Sequence, residues 1–132
     1  MAFQPRGPET PTDERRIRRR REMADVLSVN EQNFQSEILE HKGVAVVDFS
    51  AEWCGPCRFI TPIIENLQKQ YADAADVKFA KLDVDEARKI ALEYGIRAVP
   101  TLIVFKDGNE VERMLGVQPE AVIRDRVEKH RG

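Results

Sequence analysis

Cysteine is scarce in this chain. The 132 residues contain two, and both stand in one stretch, 51–58, which reads AEWCGPCR. So low a count excludes a fold built as a disulfide scaffold. Long hydrophobic runs are missing as well. The longest candidates, VAVV at 44–47 and TLIVF at 101–105, fall far short of the roughly 20 residues of a membrane helix. They have the length of buried strands. Charge of one sign is not in excess either: 21 Lys+Arg face 23 Asp+Glu, a net −2, so no global attraction to nucleic acid or to a membrane is implied. What is present is a 42% apolar, 33% charged composition, as in ordinary globular proteins. The length suits one domain able to bury a core without disulfides or metal.

The N-terminus carries no apolar stretch of the signal-peptide kind. The expected compartment is therefore a reducing one, the cytoplasm. There a thiol pair is more often catalytic or metal-binding than structural.

Residues 1–22 differ from the rest. They hold seven arginines against four acidic residues, which leaves 14 basic and 19 acidic residues for positions 23–132. The segment joins a Pro-rich polar stretch to the run RRIRRRRE, and neither can bury a core. Residues 1–22 read as a disordered basic extension and 23–132 as the working domain. A basic arm for an acidic partner, a targeting presequence, or an upstream start before Met23 are the functional alternatives. Four acidic residues and no amphipathic stripe argue against a presequence, and a solvated tail is the simplest reading.

From Val26 the pattern alternates between strand and helix. VLSV at 26–29 reads as a strand. Asn30 is placed to cap a helix carrying Phe34, Ile38 and Leu39 inward, with Gly43 as its stop. VAVVDF at 44–49 has the continuous apolar character of a strand buried on both faces. CGPCRFITPIIENLQKQYA reads as one long helix, with Ile60, Ile63, Ile64, Leu67 and Tyr71 on one stripe and a kink expected at Pro62. VKFAKLDV at 77–84 is a strand with Val77, Phe79 and Ala80 inward. A helix follows with Asp85 as cap and Gly95 as terminator. TLIVF is a buried strand. KDGN at 106–109 is a hairpin turn, because Asp-Gly supplies positive backbone angles. EVERMLG returns as a strand, and PEAVIRDRVEKH closes the chain as a helix with Pro119 in its first turn. The expected fold class is α/β, in the order β-α-β-α-β-α-β-β-α. Helix-linked strands imply parallel pairs and the hairpin an antiparallel one, in a mixed five-stranded sheet with helices on both faces.

Three readings of Cys54 and Cys57 are open: a structural staple, half of a zinc site, or a pair that cycles between dithiol and disulfide. A ring closed over three residues constrains little of the unfolded chain, which argues against a staple. Zinc needs about four ligands, and only His41 and His130 are added, without ligand spacing. The pair follows a strand and opens a helix, whose free N–H groups and partial positive charge favour a thiolate. Thiolate is the attacking species in disulfide exchange. Gly55 leaves the backbone beside the sulfur open, and Pro56 suits a first helical turn.

Asp48 lies inside an apolar strand, six residues before Cys54. Burial would raise its pKa toward neutrality and suit it as general base for Cys57. An ordinary edge or surface aspartate is the equal alternative. Pro100, in AVPT, is either a strand-start proline, which the pattern favours, or a cis proline shaping a turn.

WCGPC on a strand-to-helix turn, the preceding VVDFSAEW, YGIRAVPT and the glycine of MLGV together resemble the thioredoxin family. The likeness runs from about Met23 to the C-terminus and includes Pro62. It implies the thioredoxin fold and a thiol-disulfide oxidoreductase that reduces protein disulfides, with no bound cofactor or metal beyond the redox-active Cys54–Cys57 disulfide. Cys54 would attack and Cys57 resolve. Asp48 and Lys81 match the family's buried acid and the lysine near it. Trp53, Gly55, Pro56, Val99, Gly116 and a cis Pro100 would line the groove for a substrate's extended chain. The implied partners are disulfide-containing proteins and a thioredoxin reductase, in electron transport and redox homeostasis, with a monomer that needs neither nucleic acid nor membrane. Gly-Pro between the cysteines resembles reducing members. Ser50 stands where many bacterial members carry a second tryptophan, and Val117 where a smaller residue is common. A binding or chaperone subunit on the same fold, or an oxidising or isomerising relative, are the alternatives.

Overall fold

The computed structural model describes residues 14–15 and 25–132. The proposed extension at 1–22 and the boundary at residue 23 therefore lie outside the described residues, except for Glu14 and Arg15, which are helical. Nine elements follow in order: β1 (Leu27–Val29), α1 (Gln35–Leu39), β2 (Val44–Ser50), α2 (Cys57–Gln70), β3 (Val77–Asp83), α3 (Arg88–Glu93), β4 (Thr101–Lys106), β5 (Asn109–Leu115) and α4 (Glu120–His130). The order is the expected one.

Local chemistry accounts for most boundaries. The Asn30 side chain accepts from the N–H groups of Gln32 and Asn33, at 2.9 and 3.2 Å, and so closes the turn that leads into α1, while the cap position of α1 itself is Phe34, without a side-chain cap bond. α1 is a π-type turn, with the Glu40 N–H donating to the Gln35 carbonyl at 3.0 Å. The hairpin between β4 and β5 has Asp107 at φ +50° and Gly108 at φ +85°, the left-handed pair that Asp-Gly supplies. Two caps differ from expectation. Asp85 does not cap α3; Asp83 Oδ1 takes the N–H of Asp85 at 2.8 Å, because the turn begins two residues earlier. Pro119 precedes α4 in extended conformation, with ψ 147°, so its fixed φ leads into the helix from outside.

The sheet order is β1-β3-β2-β4-β5. β1 and β2 each run parallel to β3, whereas β4 runs antiparallel to β2 and to β5. The expectation that helix-linked strands are parallel therefore fails for β4, which follows β3 through α3. The helices in the two connections differ in length. The 14 residues of α2 rise about 21 Å, enough to carry the chain back along a seven-residue strand of about 23 Å. The six residues of α3 rise about 9 Å. The chain re-enters the sheet at the end where β3 left it, and β4 runs the other way.

Two apolar layers flank the sheet. Val44 and Val46 of β2 face α2 and α4, where they meet Ile60, Ile64, Leu67, Ile123 and Val127. Ala45, Val47 and Phe49 face α1 and α3 with Phe34, Ile38 and Ile90. All six residues of 44–49 are buried, as an uninterrupted run between two helical layers requires. Each large side chain so buried stabilises by about 1.5–3 kcal/mol. The α3 side is tied further by ring contacts of Tyr94 with Phe34, Phe49 and Phe105, at centroid separations of 5.5–6.4 Å. The alternation along β2 puts residue 48 on the α2 face.

Gly43 enters β2 at φ +118°, and a Cβ there would stand 2.2 Å from the Asp76 carbonyl oxygen. Gly43→Ala should therefore cost about 1–3 kcal/mol or more, read as a lower urea midpoint with unchanged slope.

Candidate active site

The site forms at the sheet end where β2 stops and β4 starts. Residues after Ser50 turn sharply, with the Cys54 N–H donating to the Ala51 carbonyl at 3.2 Å. Helix α2 begins at Cys57, not at Cys54. This corrects the expected start by three residues, because that turn takes up the chain first and Pro56 occupies the cap position at φ −61° and ψ −25°. The electrostatic consequence survives the correction. Cys54 Sγ accepts the first-turn N–H of Cys57 at 3.2 Å, so the free helix donor and the positive end of the helix dipole act on that sulfur.

Cys54 and Cys57 are joined as a disulfide with a Cα–Cα distance of 5.4 Å. Both are only 5% exposed. The Val99–Pro100 peptide is cis, as the family resemblance implied and the local pattern did not. The Val99 carbonyl oxygen lies 3.6 Å from Cys54 Sγ. Gly116, at φ +78°, donates its N–H to the Pro100 carbonyl at 2.9 Å, so it stands beside that peptide. Between the cysteines, Gly55 has open space where a side chain would project. Trp53 is 70% exposed, and its indole N–H donates to Asp85 Oδ2 at 2.8 Å. Trp53, Gly55 and Pro56 adjoin the cysteines along the chain, and Val99, with Pro100 and Gly116 next to it, is brought to Cys54 from β4 and β5.

Asp48 is 2% exposed. It pairs in register with Lys81 of β3, and both line a small void under α2 together with Thr61 and Ile64. Its Oδ1 has no hydrogen-bond partner among the described residues. Desolvation pushes its pKa up to about 7, against the opposing pull of the Lys81 charge. The surface-aspartate alternative is thereby excluded. Lys81 is itself exposed, so its charge is half-spent on water and does not restore an ordinary carboxylate. Asp48 and Cys57 are linked through Thr61, which lines the Asp48 void and donates to the Cys57 carbonyl at 3.0 Å. Among the described residues, no group of three His, Cys, Asp or Glu side chains converges on a metal-binding point.

The thioredoxin family model matches residues 25–129. The chain belongs to the thioredoxin family. Thioredoxin 1 of Synechococcus elongatus is 39% identical over 108 residues, covering 82% of this chain and 99% of that one. Thioredoxin 2 of Chlorobaculum tepidum is 45% identical over 106 residues, 80% and 95% of the two chains. The M-type, chloroplastic thioredoxin of Chlamydomonas reinhardtii is 42% identical over 107 residues, 81% and 75%. Among solved structures, a mutant thioredoxin from Halobacterium salinarum superposes with a TM-score of 0.74 at 37% identity, covering 83% of this chain and 94% of that one. The protein is a thiol-disulfide oxidoreductase of the thioredoxin fold, and Cys54–Cys57 is its redox-active disulfide.

Asp85 had no functional role in the sequence reading. Its partner Trp53 is 32 residues away, and no local pattern signals a contact across that distance. Thr61 was passed over too, although it donates to the Cys57 carbonyl at 3.0 Å and lines the Asp48 void. Its spacing of four from Cys57 on one helix was the available signal.

The Asp48 carboxyl makes a test of stability against pH. Its folded pKa of about 7 exceeds the unfolded value of 3.8. The native state then holds a proton that the unfolded chain has lost, so stability falls as pH rises from about 4 to about 7 and levels off beyond. A shift of this size corresponds to a penalty on the order of 4 kcal/mol at most. Asp48→Asn should remove that slope and raise stability at pH 8 relative to the parent, measured by denaturant titration across the pH range.

Proposed function

We propose that the chain reduces disulfides of other proteins, with Cys54 as the attacking thiolate and Cys57 as the resolving thiol. The observation that carries this division is the difference between the two sulfurs' surroundings. Cys54 Sγ takes the helix N–H and lies near the Val99 carbonyl, whereas Cys57 is the first residue of α2 and is packed in the core layer between α2 and the sheet. Cys54 thiolate attacks one sulfur of the substrate, a mixed disulfide forms and the first substrate thiolate leaves. Cys57 gives its proton to Asp48, attacks Cys54 Sγ and releases the second thiolate as the Cys54–Cys57 bond closes. A carboxyl with a pKa near 7 is suited to that transfer at neutral pH. Lys81 tunes Asp48 through its charge. A reductase returns two electrons and two protons.

The walls described above suit an extended peptide. Its backbone pairs beside Val99 and Pro100, and its flanking residues lie on Trp53, Gly55, Pro56 and Gly116. The partners are folded or unfolded proteins with disulfides and a thioredoxin reductase. The protein works as a monomer in a reducing compartment such as the cytoplasm, in electron transfer to those proteins. Residues 23–132 are sufficient for the activity, and the basic segment 1–22 is a separate extension.

With dithiothreitol as reductant, the pure protein should accelerate insulin reduction. A rate no greater than that of dithiothreitol alone overturns the reading. Cys57→Ser should trap substrate proteins as mixed disulfides through Cys54, seen as adducts on non-reducing gels that reducing agent dissolves. Asp48→Asn should slow resolution about 100-fold near pH 7 and flatten the pH–rate profile there. An unchanged profile removes Asp48 from the mechanism.

A further inference from the structure

In the reaction above, each turnover places a proton on Asp48 that solvent must later receive. Yet Asp48 is only 2% exposed. Two spaces separate it from bulk water. The first is the void under α2, of about 10 Å³, bounded by Val26, Asp48, Thr61, Ile64, Glu65 and Lys81. It has room for one water at most, so no file of waters runs through it. The second is a cleft of about 380 Å³ between α2 and the ends of β1, β2 and β3, with volume for several waters. Asp48 does not line the cleft.

Among the described residues, only Thr61 and Lys81 line both spaces. A proton going from Asp48 to the cleft passes one of them, and their chemistry differs. A relay accepts a proton on a lone pair while it gives up its own. The ammonium of a lysine offers three donors and no acceptor, whereas a hydroxyl is donor and acceptor at once. Glu65 borders the void but not the cleft, and Val26 and Ile64 are apolar. Thr61 is also held in place, since its hydroxyl donates to the Cys57 carbonyl at 3.0 Å. On the cleft side, Arg58 and Lys81 face Glu52, Asp83 and Glu86, so no excess of positive charge opposes a released proton.

Given the role of Asp48 assigned above, on which this rests, we propose that the Thr61 hydroxyl is the relay through which the Asp48 proton leaves for the cleft and returns. Protonated Asp48 gives its proton to Thr61 Oγ1, directly or across one water. Thr61 gives its own proton to a water in the cleft. Asp48 is left as carboxylate, Thr61 as a neutral hydroxyl and the cleft water as hydronium. No electron moves, and no co-reactant is needed. The O–H turns from the Cys57 carbonyl toward the cleft as it does so.

The oxidised protein tests the relay without any redox step. A jump from about pH 5 to about pH 8 crosses the proton affinity of Asp48, about 7. Rapid infrared spectroscopy follows the carbonyl band of the protonated carboxyl, identified by its loss in Asp48→Asn. Thr61→Val, which keeps the shape and removes the hydroxyl, should slow the decay of that band about ten-fold. Thr61→Ser should restore the parent rate within about two-fold. In single turnovers of the reduced protein with a peptide disulfide, Thr61→Val should slow resolution by Cys57 about ten-fold near pH 6 and leave it unchanged near pH 8, where Asp48 is already ionised. Acid quenching and mass spectrometry separate that step from attack by Cys54. Equal band decay in the parent and Thr61→Val overturns the relay, and so does a Thr61→Ser variant as slow as Thr61→Val. Slowed band decay with resolution unchanged near pH 6 keeps the relay and removes Asp48 from the reaction.

Discussion

The antiparallel pairing of β2 with β4 sets the end of one strand, Phe49, opposite the start of the other, Thr101. Everything at the site depends on that register. The loop that leaves β2 carries Cys54, and the loop that enters β4 carries Val99 and Pro100. Because the two strand ends are neighbours, the Val99 carbonyl arrives 3.6 Å from Cys54 Sγ. The β4–β5 hairpin then returns the chain so that Gly116 meets Pro100. A parallel β4 would have delivered Pro100 to the far end of the sheet. The connection through the short α3, about 9 Å of rise for its six residues, instead brings the chain back at the end where β3 left the sheet.

Burial of Asp48 is the cost attached to this geometry. A carboxyl placed under α2 with no partner for Oδ1 among the described residues opposes stability once it ionises. Hydrophobic layers on both faces of the sheet tolerate it. Val46 and Phe79 beside it are fully buried, and the burial of the many such side chains in both layers outweighs one unfavourable group. The same desolvation brings its proton affinity to about 7, where a carboxyl exchanges protons at physiological pH. A feature that weakens the fold thus also sets the proton affinity of this carboxyl.

Much of this was legible along the chain. Apolar periodicity marked β2, α2 and β4, Asp-Gly marked the hairpin, and C-G-P-C at a strand-to-helix turn marked the redox pair. These signals are local, since a side-chain period or a turn dihedral is set within a few residues. The start of α2 was missed by three residues because the competition between a turn and a first helical turn is settled by packing on β2. The direction of β4, the cis state of Pro100, the Trp53–Asp85 hydrogen bond and the depth of Asp48 were not legible from local pattern. Each depends on residues 32 or more positions apart being brought together, as Trp53 and Asp85 are. The sequence by itself determined which segments fold into strands and helices and which two sulfurs carry the chemistry. The tertiary structure alone decided which groups face those sulfurs, because only the sheet register brings distant loops to one end and takes the water away from Asp48.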